Sequence, residues 1–411
     1  MKILNRWVYA IVGVIVLLLA GLVYAWSVLA APIANEFTSW SQAQLSLTFT
    51  ICMTLFCIGG LVGGIVSNKI SVKINVWISA LLFVVGFVIA SQTTSLAGLY
   101  IGYGILAGFA SGLVYNAIMS SVSKWFPDKQ GLISGILLMG FGFGSFFVGK
   151  IYTAVVPSLA NGWRTAFMGM GIILVVVIGI CGFFVAKPGS DFKPPAGAVK
   201  AAKKRPDEGI DVGPSVMLKR PAFWLYFIWA ILLSAAGLAL IAQATGVANE
   251  INAAVVAKGG SAVSDNNIAT IVGLISIFNG IGRVIFGGMY DKFGRGKTMF
   301  AINAAFFISV LIVIAAILTG SMPILIVGFI CCGLSYGGVT PTNSAFANSF
   351  YGPTHYPVNF PIINLNLILA SFGGTIAGAL YDASQSYLST FIVLLVAIVI
   401  GTVCSFLIKK P

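Results

Sequence analysis

In the run Asn267–Tyr290, built largely of apolar residues, Ser276, Asn279, Gly280, Arg283 and Gly287 recur at steps of three and four. On a helix those steps share a face, so the spacing predicts a small, polar stripe with a guanidinium set into it. Arginine stays protonated at any working pH and presents a planar fork that matches a carboxylate. Every Asp and Glu of the chain is expected in a loop or at a helix end, so the apolar runs supply no counter-charge. The chemistry this predicts is the binding of an anion. The alternative is an arginine that reaches toward headgroups from about seven residues, or ~10 Å, inside the helix end. An arginine of that kind needs no polar stripe, and the cavity-lining reading is preferred.

The other candidates are weaker. Tyr115 and Tyr336 stand in matching sequence contexts and could each face a ligand, although a tyrosine in a helix bundle also packs well with one hydrogen bond. Asn364 and Asn366, Gln243, and Tyr24 with Ser27 are further polar side chains inside apolar runs. Lys150 lies where a long amine reaches water, and His355 falls in a solvated loop. Six cysteines sit within apolar runs, without zinc or disulfide spacing, and read as packing residues. There is no phosphate-cradling loop, metal cluster or nucleophile–base pair, so no cofactor is expected and neither an ATP-driven pump nor an enzyme.

The elements that must position these residues follow from composition. The chain is 59% apolar and 8% charged, against about 25% charged in a soluble domain. A bilayer core of ~30 Å takes about 20 apolar residues per helix. Twelve such runs are expected: Trp7–Ala31, Ala43–Ser67, Ile74–Ser91, Ser95–Val122, Gln130–Ala154, Trp163–Ala186, Ala222–Ala248, Asn267–Tyr290, Thr298–Leu318, Met322–Ala347, Asn359–Tyr381 and Tyr387–Leu407. Between the sixth and seventh lies a Pro-, Ala- and Lys-rich linker carrying eight basic residues over Lys187–Arg220. Nearly all other Lys and Arg fall on the same side, which predicts cytoplasmic termini in a multi-pass plasma (inner) membrane protein. The net charge of +13 is then met by the anionic inner leaflet, and no nucleic-acid partner is invoked.

Each half carries the same landmarks. Gly64-Ile-Val-Ser-Asn68-Lys69-Ile-Ser-Val-Lys73 follows the second run, and Gly287-Gly-Met-Tyr-Asp291-Lys292-Phe-Gly294-Arg295-Gly-Lys297 follows the eighth. Gly112-Leu-Val-Tyr115 in the fourth run matches Gly333-Leu-Ser-Tyr336 in the tenth. The loop landmarks, Asn68 and Asp291, are 223 positions apart, and the tyrosines 221, so the register agrees. The domains expected are a six-helix bundle over 1–188, a linker over 189–215 and a second bundle over 216–411.

With these features the sequence resembles the major facilitator superfamily, whose loop signature is similar to Asp291–Lys297. The first copy, Asn68–Lys73, lacks the acid and the glycine. Lys124-Trp125-Phe126-Pro127-Asp128-Lys129-Gln130-Gly131, Gly162-Trp163-Arg164 and the Asn279/Arg283 pair resemble the monocarboxylate porter and oxalate/formate antiporter-like branch. The resemblance implies an all-α membrane protein, twelve helices in two pseudo-symmetric bundles around a midplane cavity opened alternately. It implies a secondary transporter of small monocarboxylates, of lactate or pyruvate size, by proton symport, with an oxalate/formate-type antiporter as the alternative. The residues expected to bind substrate are Arg283, Asn279, Tyr115, Tyr336, Ser276 and Asn364. That branch's dianion recognition uses a second basic residue in the eleventh run. Asn359–Tyr381 contains none, which favours a single negative charge. No run offers a carboxylate to carry a proton, so symport and anion exchange both remain open.

Overall fold

Backbone groups inside a bilayer have no water to bond, which leaves self-satisfied helices as the spanning solution for so apolar a chain. The computed structural model describes residues 5–40, 42–67, 69–189, 192 and 209–409, and among them there are helices and turns but no strand. Asn68 and most of the expected linker lie outside the described residues. Among the described residues, eleven helical runs are long and apolar enough to cross a membrane. One of them, Thr270–Thr319, has 50 residues, about 75 Å of helix and enough for two crossings. The described residues thus hold helix enough for twelve crossings. The expected eighth and ninth runs are two helices within Asp265–Thr319 that meet at Gly294, where φ is 77° and ψ 177°. Only glycine adopts that backbone without strain, so the glycine of the basic loop is the joint between the two crossings.

In chain order the first helices are α1 (Arg6–Ala20), α2 (Trp26–Glu36), α3 (Gln42–Val66), α4 (Val72–Ser91), α5 (Leu96–Leu99), α6 (Gly108–Val122), α7 (Gln130–Val155) and α8 (Trp163–Phe184). There follow α9 (Pro214–Met217), α10 (Pro221–Ala257), α11 (Asp265–Thr319), α12 (Met322–Gly337), α13 (Val339–Tyr351), α14 (Tyr356–Asn364), α15 (Asn366–Ala370), α16 (Phe372–Ser384) and α17 (Leu388–Leu407). Side chains set several starts: Asn5 accepts from Trp7 N ahead of α1, and Ser71 from Ile74 N ahead of α4.

Four expectations are corrected. The first run is not one helix, because Gly21–Ala25 tightens into a 3₁₀ turn between α1 and α2. The eleventh run is broken into α14, α15 and α16, with Pro361 inside the first piece. Glu250 lies within α10, which runs on to Ala257, and not in a loop or at the helix end. The fourth run also departs from a regular helix, since Tyr100–Ala107 winds as a π-helix between α5 and α6.

The chain divides into two compact units: Met1–Asp128 with Ile136–Lys204 and Pro353–Ile362, and Lys129–Gly135 with Arg205–Gly352 and Ile363–Pro411. In the first unit the 3₁₀ turn, whose own i→i+3 bonds are poorer than those of an α-helix, is supplemented by side-chain donors. Tyr103, carried by the π-helix, donates its hydroxyl to Val23 O at 3.0 Å, and Ser111 donates to Ala20 O at 3.0 Å. Helix ends are closed by basic and indole donors: Lys73 Nζ to Phe183 O at 2.9 Å, Lys187 Nζ to Ser67 O at 2.9 Å and Trp125 Nε1 to Ala186 O at 2.7 Å. At the opposite end, Glu36 accepts from Trp163 Nε1 at 2.7 Å and pairs with Arg164 at 2.6 Å.

The second unit repeats these devices with other residues. Arg295 closes the end of α17, donating to Ser405 O at 3.2 Å and Ile408 O at 3.1 Å, where the first unit has Lys73 on Phe183. The ring pair Trp77–Phe183 at 5.1 Å is matched by Phe300–Phe406 at 6.2 Å, each partner displaced by 223 positions. Glu250 accepts from Ser386 Oγ at 2.7 Å and Tyr387 N at 2.9 Å. Those two residues stand 223 positions after Trp163 and Arg164, so Glu250 performs the task of Glu36.

Candidate functional site

Arg283 and Asn279 stand one turn apart on α11. Arg283 Nε donates to Asn279 Oδ1 at 3.0 Å; Asn279 is 5% exposed and Arg283 half-buried. The bond fixes the plane of the guanidinium and leaves its charge intact, since an amide carries none. Ser276, a turn earlier on the helix, is half-buried.

Glycines fix where this turn sits. A Cβ on Gly337 of α12 would collide with Asn279 O and meet Arg283 N at 3.0 Å. A Cβ on Gly135 would run into Arg283 O, and one on Gly282 into Leu334 O. Three backbones thus touch around Asn279–Arg283, and contact this close permits no slack in the arginine's origin. Gly131 and Gly287 face each other in the same manner one turn further on.

Tyr336, beside Gly337, lies with its ring flat against Gly237 of α10, where a Cβ would penetrate it. The next residue, Gly337, is the one that meets Asn279 O and Arg283 N, which places Tyr336 on the turn packed against the arginine. Ser276, Asn279, Arg283 and Tyr336 are therefore brought together in one unit. Asn364 joins a different group, accepting from Asn343 Nδ2 at 3.3 Å while Asn343 Oδ1 takes the Tyr226 hydroxyl at 2.8 Å. Next to it Asn366 donates to Ile363 O at 2.6 Å and accepts from Ser234 at 3.3 Å, so the pair flanks the break between α14 and α15.

Tyr115 belongs to the first unit. It sits among rings, Phe56 at 5.1 Å, Phe141 at 5.2 Å and Phe360 at 5.9 Å, and Tyr24 meets Phe141 at 5.4 Å. Gln243 bridges Gly374 O and the Tyr387 hydroxyl, Lys150 and His355 are exposed, and the Ser27 side chain lies outside those described. The sequence reading passed over Asn116 and Asn343, 1% and 0% exposed. The signal was available, because an amide inside an apolar run obeys the same rule that picked out Asn279.

The profile of the Major Facilitator Superfamily matches residues 11–365 and 246–411. The oxalate:formate antiporter of Oxalobacter formigenes is 26% identical over 97% of this chain and 91% of its own length. Monocarboxylate transporter 12 of Mus musculus is 30% identical over 22% of this chain and 18% of its own. The fold is shared with the transporter FucP in its outward conformation, with a TM-score of 0.67 at 15% identity over 98% of this chain and 99% of that one. A helical chain with apolar runs of membrane-crossing length, a duplicated loop and this match over most of its length is a multi-pass membrane transporter, a member of the Major Facilitator Superfamily.

Proposed function

We propose that the chain is a secondary transporter of small monocarboxylate anions, of lactate or pyruvate size, with Arg283 as the carboxylate anchor. The observation that carries this reading is the Arg283 Nε–Asn279 Oδ1 bond, in which a neutral amide orients a permanent charge within a membrane helix. Tyr336, Ser276 and Asn364 are the further polar side chains proposed to contact the substrate. Tyr115, ringed by Phe56, Phe141 and Phe360, is the aromatic substrate contact proposed in the first unit. The absence of Lys and Arg from Asn359–Tyr381 supports a substrate of charge minus one, because a second buried negative charge would lack a basic partner there. Bundles over 1–188 and 216–411 give alternating access, with both termini cytoplasmic in a plasma membrane. Proton symport is the preferred coupling.

The second reading, anion exchange, is favoured by the 26% identity to the oxalate:formate antiporter over nearly the whole chain. Uptake of labelled lactate, pyruvate, propionate and oxalate into proteoliposomes, under imposed pH or counter-anion gradients, separates the two. Arg283→Lys should weaken carboxylate binding and Arg283→Ala should abolish it. Normal binding by a well-expressed alanine variant removes Arg283 from the mechanism. Oxalate binding more tightly than the monocarboxylates overturns the single-charge assignment.

A further inference from the structure

Asn116 follows Tyr115 in α6 and is 1% exposed. Its Nδ2 donates to two carbonyls, Gly60 O and Pro357 O, both at 2.9 Å. Both neighbours are acceptors, so the NH₂ end of the amide must face them. The second bond has a covalent cause. In α14 the carbonyl of residue 357 would accept the N–H of residue 361, but residue 361 is proline and has none. A buried carbonyl stripped of its helical partner needs another donor, and Asn116 reaches it. Gly64 makes the approach feasible, since a Cβ there would collide with Pro357 O. Three residues further along α14 stands Phe360, whose ring stacks on Tyr115 at 5.9 Å and 24°.

We propose that Asn116 is the positioning residue for the Tyr115–Phe360 ring pair, and that it acts by taking the carbonyl orphaned by Pro361. The neighbours Tyr115 and Asn116 thus hold the same helix, one by its ring and the other by its backbone. The transport part of this inference rests on the anion-site reading of Tyr115; the clamp itself rests on geometry alone.

The test is a double-mutant cycle on the full chain in lipid nanodiscs and proteoliposomes. Pro361→Ala returns an N–H to the Pro357 carbonyl, so the clamp is no longer required. Asn116→Ala alone should speed hydrogen exchange in peptides spanning Tyr356–Asn364 by roughly tenfold, the effect of one lost hydrogen bond. It should also raise the Michaelis constant for lactate several-fold while the maximal rate is held. In the Pro361→Ala background the same substitution should change both readouts far less. If Asn116→Ala fails to accumulate, recovery of expression in the double variant supports the clamp and no recovery overturns it. Unchanged exchange in Asn116→Ala, or fully additive losses, also overturn the clamp. Faster exchange with an unchanged Michaelis constant overturns the positioning role. If Arg283→Ala still binds carboxylates the anion reading falls, while the exchange comparison continues to decide the clamp.

Discussion

The Asp291 carboxylate accepts the backbone N–H of Gly131 at 2.9 Å and of Leu132 at 2.8 Å, closing the first turn of α7 with an acid 160 positions away in sequence. Those N–H groups are among the four that a helix start leaves without partners, and the helix dipole adds to the attraction. The acid that opens the second basic loop is thereby the cap of another helix. Asp291→Ala is expected to cost about 1–2 kcal/mol. Asp291→Asn, which keeps an acceptor and loses the charge, should fall between wild type and alanine. Thermal unfolding of the purified protein measures this, and identical midpoints for all three would remove the cap from the account of stability.

Asn279 should matter through the direction of the guanidinium. Asn279→Leu keeps the volume and removes the acceptor for Arg283 Nε, so carboxylate affinity should fall about tenfold. Asn279→Asp supplies a charge that competes with the substrate and should fall further. Titration by competition in a binding assay gives both values; an aspartate variant that binds as well as wild type would end the anchor reading.

Close backbone contact around Arg283 makes a sharp contrast between two glycines. Gly337→Ala forces a Cβ into Asn279 O and should cost about 1–3 kcal/mol and impair carboxylate binding. Gly288→Ala, on the same helix as the anchor, meets only Leu132 Cδ1 at 3.6 Å and should be neutral or slightly stabilising. Equal behaviour of the two variants in unfolding and binding would contradict the packing described.

Lys187 gives a pH dependence. Burial, and then the nearby Lys124 charge, hold its pKa below the ordinary 10.5. In the window between that lowered value and 10.5, the unfolded chain binds more protons than the folded one. Stability therefore gains from Lys187 as pH rises through this window, and the gain is absent below it. Lys187→Met should flatten the rise in stability on the alkaline side, although it also leaves Ser67 O without its donor. A steeper rise in the methionine variant would show that the sign is wrong.

Much of this architecture was legible in residue types. Uncharged runs of span length located the crossings, Gly294 marked the joint within α11, and the stripe through Ser276, Asn279 and Arg283 put three of the site candidates on one helix. Two glycines of α7 lie against distant backbone, Gly144 at Leu18 O and Gly135 at Arg283 O. Other features could not be read, because they depend on which distant atom lies opposite. Nothing local distinguishes Glu250, which closes a turn 136 positions later, from an acid in a loop. The 3₁₀ turn at Gly21–Ala25 has an apolar sequence like any other in its run, and it is sustained by Tyr103 and Ser111 from elsewhere in the chain. Asn364 shared a run with no obvious partner, and only folding showed that Asn343 holds it.

That dependence of the first crossing on Tyr103 and Ser111 bears on descent as well as on folding. A lineage that lost the Tyr103 hydroxyl would remove a donor from the Val23 carbonyl in an apolar interior, and selection would then favour either a new donor or a straightened helix at residues 21–25. Among relatives of this chain, hydroxyl-bearing side chains at the positions of Tyr103 and Ser111 should be inherited together with the 3₁₀ turn. An alignment of diverging sequences should show these sites changing in concert, although 80 or more positions separate them along the chain.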